Sequence, residues 1–313
     1  KGVEFNFRND HAKRTALAIK NLDMDNLEGV LGTTAKVTRF IAAMNTQYNP
    51  FFGIKNFVRD VGFAMLTLST TPIKGKQREV LKRVVPNVIG IFKALRGDTT
   101  SQISKEYNEL RLLGGTVGYR DLFKTTDKRT NAMEREINVL KSGGILKGAY
   151  ALKNLISDYN TTMETAVRLA AYQVALKTID PSTGKLVTKD RAAAMAKGLT
   201  VDFNRKGQLA TQAGALYAFF NASAQGSVKV IDTLTGPSGQ KIIAGGLIFG
   251  VIQAMLLATA GFGDGEPPDW EQERNIMIPT GNGKYTKIPM PLGFNFIPNI
   301  GRIITQYALS GFK

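Results

Sequence analysis

The stretch AYALKNLISDYNTTMETAVRLAAYQVALKTI, residues 149–179, decides the fold. Its apolar side chains Leu152, Leu155, Ile156, Tyr159, Met163, Val167, Ala170 and Val174 recur at intervals of three and four. That spacing lays a stripe along one face of an α-helix, to be covered by neighbouring elements. Asp180-Pro181-Ser182-Thr183-Gly184 reads as the turn that ends it. A long helix with an apolar stripe needs other helices against it, and the flanking sequence supplies them.

Downstream, Thr188 opens an alanine-rich helix running to about Asn204, and Gly207 marks a break. A further helix is expected over about Gln208–Leu234, with Leu216, Phe219, Phe220, Ser223 and Val230 on one face, closing at Gly236-Pro237-Ser238-Gly239. Upstream, helices are expected near Ala12–Leu22, Thr34–Gln47, Phe51–Leu68, Gln77–Leu95, Ser101–Leu113 and Asn131–Lys141. Pro86 should kink the fourth of these, since it lacks a backbone donor. Ile276–Pro279 and Lys284–Pro289 flank Thr280-Gly281-Asn282-Gly283, two short runs around an Asn-Gly turn that reads as a hairpin at a sheet edge. The fold class is therefore mainly α, a multi-helix bundle with one small β-hairpin near the C-terminus. Two regions are expected: residues 1–148, basic and built of shorter helices, and residues 149–313, a long-helix bundle with an apolar helix 242–262 and a hairpin 276–289.

The 313 residues are 43% hydrophobic and 21% charged, the balance of a folded chain. They contain no Cys and a single His, His11. Disulfides, thiolate metal sites and cysteine nucleophiles are thereby excluded, and the usual neutral-pH proton carrier is nearly absent. Lys and Arg outnumber Asp and Glu by 41 to 25, a formal charge of +16. The first 150 residues hold 25 of the basic and 14 of the acidic side chains, so the field lies in that half. Such a surplus attracts nucleic acid, anionic lipid or an acidic partner. The chain opens at Lys1 without a signal-peptide pattern, which reads as a segment of a longer chain.

The basic run Lys74, Lys76, Arg78, Lys82, Arg83, Lys93 and Arg96 is offset only by Glu79. It forms a cationic edge suited to DNA phosphates or simply a solvated helix face; without interleaved surface aromatics it offers no base stacking. Ile242–Phe262 is uncharged over about 21 residues, long enough to cross a bilayer core. Its glycines equally suit a helix buried inside a bundle. The expectation is a buried central helix that turns to the membrane on delivery. Asp264, Glu266, Asp269, Glu271 and Glu273 surround Trp270 in a Pro-containing loop, at a spacing that fits a solvated loop better than a cation site. Gly281-Asn282-Gly283-Lys284 lacks the strand-loop-helix setting of a phosphate loop and is a hairpin turn. No catalytic residue, metal site or cofactor is expected.

Five strings are more specific. They are Asn49-Pro50-Phe51-Phe52-Gly53-Ile54-Lys55-Asn56-Phe57-Val58-Arg59-Asp60, Glu164 with Arg168 and Tyr172, Asp202–Gly207, Phe219–Gly226 and Ile288–Asn295. Asn49 and Pro50 suit a helix start. Asn56, Arg59 and Asp60 lie around two turns of one helix, Glu164 and Arg168 one turn apart as an ion pair, and Asn221 and Gln225 near aromatic residues, all suited to polar ties between helices. In this order the strings resemble the large polyvalent protein-associated domains near the C-terminal ends of very long phage and mobile-element proteins, including internal virion proteins of short-tailed phages. The resemblance covers about Asn49 to Phe296. It implies a structural segment packaged in the virion and ejected with the genome. There it would help form or anchor a DNA-delivery conduit across the host envelope, with other copies or virion proteins, the DNA backbone and the host membrane as partners. The alternative is a sequence-nonspecific DNA-binding module that protects incoming DNA.

Overall fold

In the computed structural model, residues 49–116, 145–200, 220–260, 267–291 and 293–311 are described, with Thr38 and Asn45, both helical. In chain order they form α1 (Pro50–Thr67), α2 (Gln77–Leu95), α3 (Gln102–Leu112), α4 (Ile145–Ala175), α5 (Lys189–Gly198), α6 (Phe220–Thr235), α7 (Gly239–Thr259), the short α8 (Asp269–Gln272), strands β1 (Asn275–Gly281) and β2 (Lys284–Pro289), and α9 (Phe296–Leu309). The expected helices Ala12–Leu22 and Asn131–Lys141, the string Asp202–Gly207, and residues 208–219 of the helix expected over Gln208–Leu234 lie outside the described residues.

The helix starts follow from their caps. The Asn49 side chain accepts from the backbone N–H of Phe51 at 3.0 Å and of Phe52 at 3.3 Å, with proline in the first turn, so α1 begins where the sequence indicates. Ser101 and Thr188 accept from Ser104 N–H and Arg191 N–H and start α3 and α5. α2 runs through Pro86 as continuous α-helix. Pro86 stands on its exposed side, where water can reach the carbonyl left without its helical donor.

α4 is the packing surface for α1, α2, α3 and α5. Its second half is buried nearly all round, at Ala166, Val167, Leu169, Ala170, Ala171, Tyr172 and Val174. These meet Leu68, Ile73, Val80, Val84, Ile91 and Leu110 in one apolar cluster. Residues on either side of position 148 thus share a core. Two stripe residues, Leu152 and Leu155, are exposed, and among the described residues of α4 burial begins at Ser157. The helix also ends at Ala175 instead of Ile179. The chain there folds into a tight excursion in which Asp180 N–H donates to Lys185 O and Ile179 bridges Leu186. Across α2 and α4, Asn87 and Gln173 exchange two side-chain amide bonds, at 3.1 and 3.2 Å.

The C-terminal elements form a second layer. β1 and β2 pair antiparallel, Ile276 opposite Ile288, and the turn places Gly281, Asn282 and Gly283 at positive φ, which glycine and asparagine tolerate best. Phe294 meets Phe63 of α1 edge-on at 5.4 Å, joining the layers together with Val230 of α6.

α7 departs most from expectation. It runs Gly239–Thr259, three residues earlier than the expected 242–262, and positions 261 and 262 lie outside the described residues. Instead of being buried on all sides, it has only 22% of its apolar span inside the fold. It packs chiefly against α9, with smaller contacts to α6 and β1, and it meets α9 at glycines: a Cβ on Gly250 would lie 1.9 Å from Pro298 O, and one on Gly301 would lie 2.2 Å from Leu247 O. Bare backbones therefore touch at the crossing, as small residues permit. Gly250→Val should wedge the pair apart and cost about 3 kcal/mol, read as a fall in urea midpoint. An unchanged midpoint would show that α9 shifts without cost.

Candidate functional site

Most of the polar residues singled out in the sequence converge where α1 meets α4. Arg168 has no exposed surface; it pairs with Glu164 at 3.3 Å and donates from Nε to Thr200 Oγ1 at 3.0 Å. On α1, Asn56 Nδ2 donates to Asp60 at 3.3 Å, and Arg59 reaches Asn56 Oδ1 at 3.5 Å. Burial pushes the Asp60 carboxyl up to about 6, against the pull of Arg168 and Arg59. Burial also lowers Arg59, whose Nε is enclosed without a hydrogen bond. Asn49 joins through its carbonyl, which accepts from Asn160 Nδ2 at 3.4 Å. The described members of this cluster tie α1, α4 and the residues after α5 together. Gln225 lies half-buried on α6, remote in sequence from this cluster; the side chains of Pro50 and Asn221 lie outside the described residues.

The basic residues distribute differently. Lys74, Arg78, Lys82, Lys93 and Arg96 are exposed, whereas Lys76 and Arg83 are half-buried. The exposed cations of α2 share their face with Leu81, Val85 and Ile89, which are also exposed. Sequence reasoning missed these aliphatics, although their i, i+4, i+8 spacing beside Arg78 and Lys82 was the available signal.

The acidic loop resolves into two roles. Asp264 and Glu266 lie outside the described residues. Glu271 is buried and accepts from Tyr285 OH at 3.0 Å and from Lys287 Nζ; the Lys287 bond holds its carboxyl below the usual range. Asp269 stands 3.6 Å from Arg302, a buried guanidinium on α9. Arg302 also donates to Asn299 Oδ1 at 3.2 Å, Gln272 Oε1 at 3.1 Å and Gln306 Oε1 at 2.7 Å. Asn295 and Asn299 both donate to Glu273 O. This second network ties α8, the hairpin and α9 into one unit. The sequence signal for it, Asn299, Arg302 and Gln306 at helical spacing in an otherwise apolar helix, went unread. No group of His, Cys, Asp or Glu suited to a metal ion occurs among the described residues.

Over that unit lies an apolar surface. α7 turns Gly250, Gln253, Ala254 and Leu257 inward and Ile248, Ile252, Met255 and Leu256 outward. α9 adds Ile300, Ile303, Ile304 (62% exposed) and Tyr307. The outward side is thus more apolar than the inward side, where Gln253 Nε2 donates to Met277 O at 2.7 Å.

Residues 265–311 match the family model of large polyvalent protein associated domain 38. The matched segment spans the tied unit of α8, the hairpin and α9. Of the five strings noted in the sequence, Ile288–Asn295 alone falls within it, and the match runs beyond Phe296 to the end of α9. No curated protein and no solved structure matches the chain.

Asp60 supplies a pH test. Its carboxyl ionises near 3.8 in the unfolded chain and near 6 in the folded one. The stability it contributes is complete below the first value and falls as pH rises through the second. Asp60→Asn is neutral at every pH and lacks that fall, so relative to the parent it should gain about 2 kcal/mol between pH 4 and pH 7 in urea unfolding. Parallel pH profiles would show that burial does not hold the carboxyl up.

Proposed function

We propose that this chain is a structural helical segment of a large polyvalent protein of phage or mobile-element type. It travels in the virion with the genome, assembles with other copies or virion proteins, and helps anchor a DNA-delivery conduit in the host envelope. The reading assigns it no chemistry of its own. The family match at 265–311 supports the polyvalent setting. The observation that carries the anchor is the outward face of α7 and α9, more apolar than the face that packs. A soluble helix buries its apolar side; the reverse arrangement suits a helix surrounded by hydrocarbon. At 21 residues, α7 spans about 31 Å, close to a bilayer core.

A second reading, a sequence-nonspecific DNA-binding module, draws on the exposed cations Lys74, Arg78, Lys82, Lys93 and Arg96. It requires log affinity to fall linearly with log salt, by about one unit of slope per phosphate contact.

Flotation with phosphatidylcholine vesicles tests the anchor. The full chain should rise with them, and Ile248→Asn, Ile252→Asn and Ile304→Asn together should lower partitioning roughly tenfold or more with the circular dichroism spectrum intact. Undiminished flotation of the triple variant would sink the reading.

A further inference from the structure

We infer that the exposed face of α2 is a docking surface for an anionic lipid bilayer, formed by an aliphatic ridge set between basic side chains. At 100° per residue, Arg78, Leu81, Lys82, Val85, Ile89, Phe92, Lys93 and Arg96 fall within a sector of about 120°. The opposite side of α2 packs on α3 and α4. Val85 is 64% and Ile89 56% exposed, with Leu81 beside them. Arg78 and Lys82 stand at one end of the ridge and Lys93 and Arg96 at the other, and the Arg96 guanidinium lies 5.6 Å above the Phe92 ring. Glu79 is the only acidic residue in the helix.

Charge complementarity and the apolar centre together select the occupant. On a DNA backbone the cations would find phosphates, but the aliphatic side chains between them would lose water without gaining an apolar neighbour. The boundary between lipid headgroups and acyl chains offers both at once, anions at the ends and hydrocarbon in the middle, and long basic side chains reach outward from such a position. A protein partner would anchor its side chains in pockets, whereas Leu81, Val85 and Ile89 here are themselves exposed along one line of the helix. This inference deepens the membrane reading by naming a lipid chemistry, yet it concerns a surface separate from α7 and α9.

The experiment is flotation of the full chain with vesicles of phosphatidylcholine alone and with phosphatidylglycerol added, alongside retention of duplex DNA on a filter. Two variants are compared with the parent: Leu81→Ser, Val85→Ser and Ile89→Ser together, which keep every charge, and Lys82→Glu, Lys93→Glu and Arg96→Glu together. The parent should partition at least tenfold better into the anionic vesicles. Both variants should lose that preference while keeping the parent's binding to neutral vesicles, and the serine variant should retain DNA as the parent does. An anionic preference untouched by the serine variant overturns the inference. Loss of DNA retention alone in the glutamate variant would also overturn it, assigning the face to DNA. Failure of all proteins to bind neutral vesicles counts against α7 and α9, not against α2.

Discussion

A guanidinium without exposed surface, Arg168, holds the buried second half of the long helix in place. Taking a cation out of water costs several kcal/mol, and Glu164, Thr200 and the Asp60 carboxyl across the helix interface offset it. The partners come from α1, α4 itself and the residues after α5. Sliding these elements past one another would strip the charge of these partners, a cost that apolar faces alone do not impose. The Asn87–Gln173 amide pair does the same between α2 and α4. Register in this bundle is therefore set by hydrogen bonds, and its cohesion by the alanine, valine and leucine surfaces around them.

Much of this was legible in the sequence. The three-and-four spacing of residues 149–179 marks α4, Asn49 and Pro50 mark the start of α1, and the Asn-Gly turn marks the hairpin, because each rests on local backbone chemistry. Burial was less legible. Val85 and Leu152 carry the same side-chain chemistry as Val84 and Leu169, and only the tertiary arrangement decides which of them is covered. The same holds for Ile242–Phe262: a helix without a charged side chain suits an interior and an edge alike by composition, and only the packing shows which side is left uncovered. The hidden polar tie at Arg302 escaped for the opposite reason, since a lone arginine between isoleucines resembles a surface residue until its amide partners Gln272 and Gln306 are seen.

The two exposed faces differ in character. α2 mixes charge with aliphatic carbon along a helix firmly held by the core. α7 and α9 have no exposed charge along their shared outer side beyond Lys241 near one end. The first would meet the headgroup boundary of a bilayer and the second its hydrocarbon under the function proposed above.

The glycine crossing has an implication for how the C-terminal unit is seated on the rest of the chain. The unit from Pro267 to Leu309 brings its own internal fastenings through Gln272, Asn299 and Arg302. Its notch at Gly301 accepts only a helix that is itself bare at positions like Gly246 and Gly250. The unit therefore seats only against a helix whose backbone profile fits, so shape at a few side-chain-free points, more than side-chain chemistry, governs this junction.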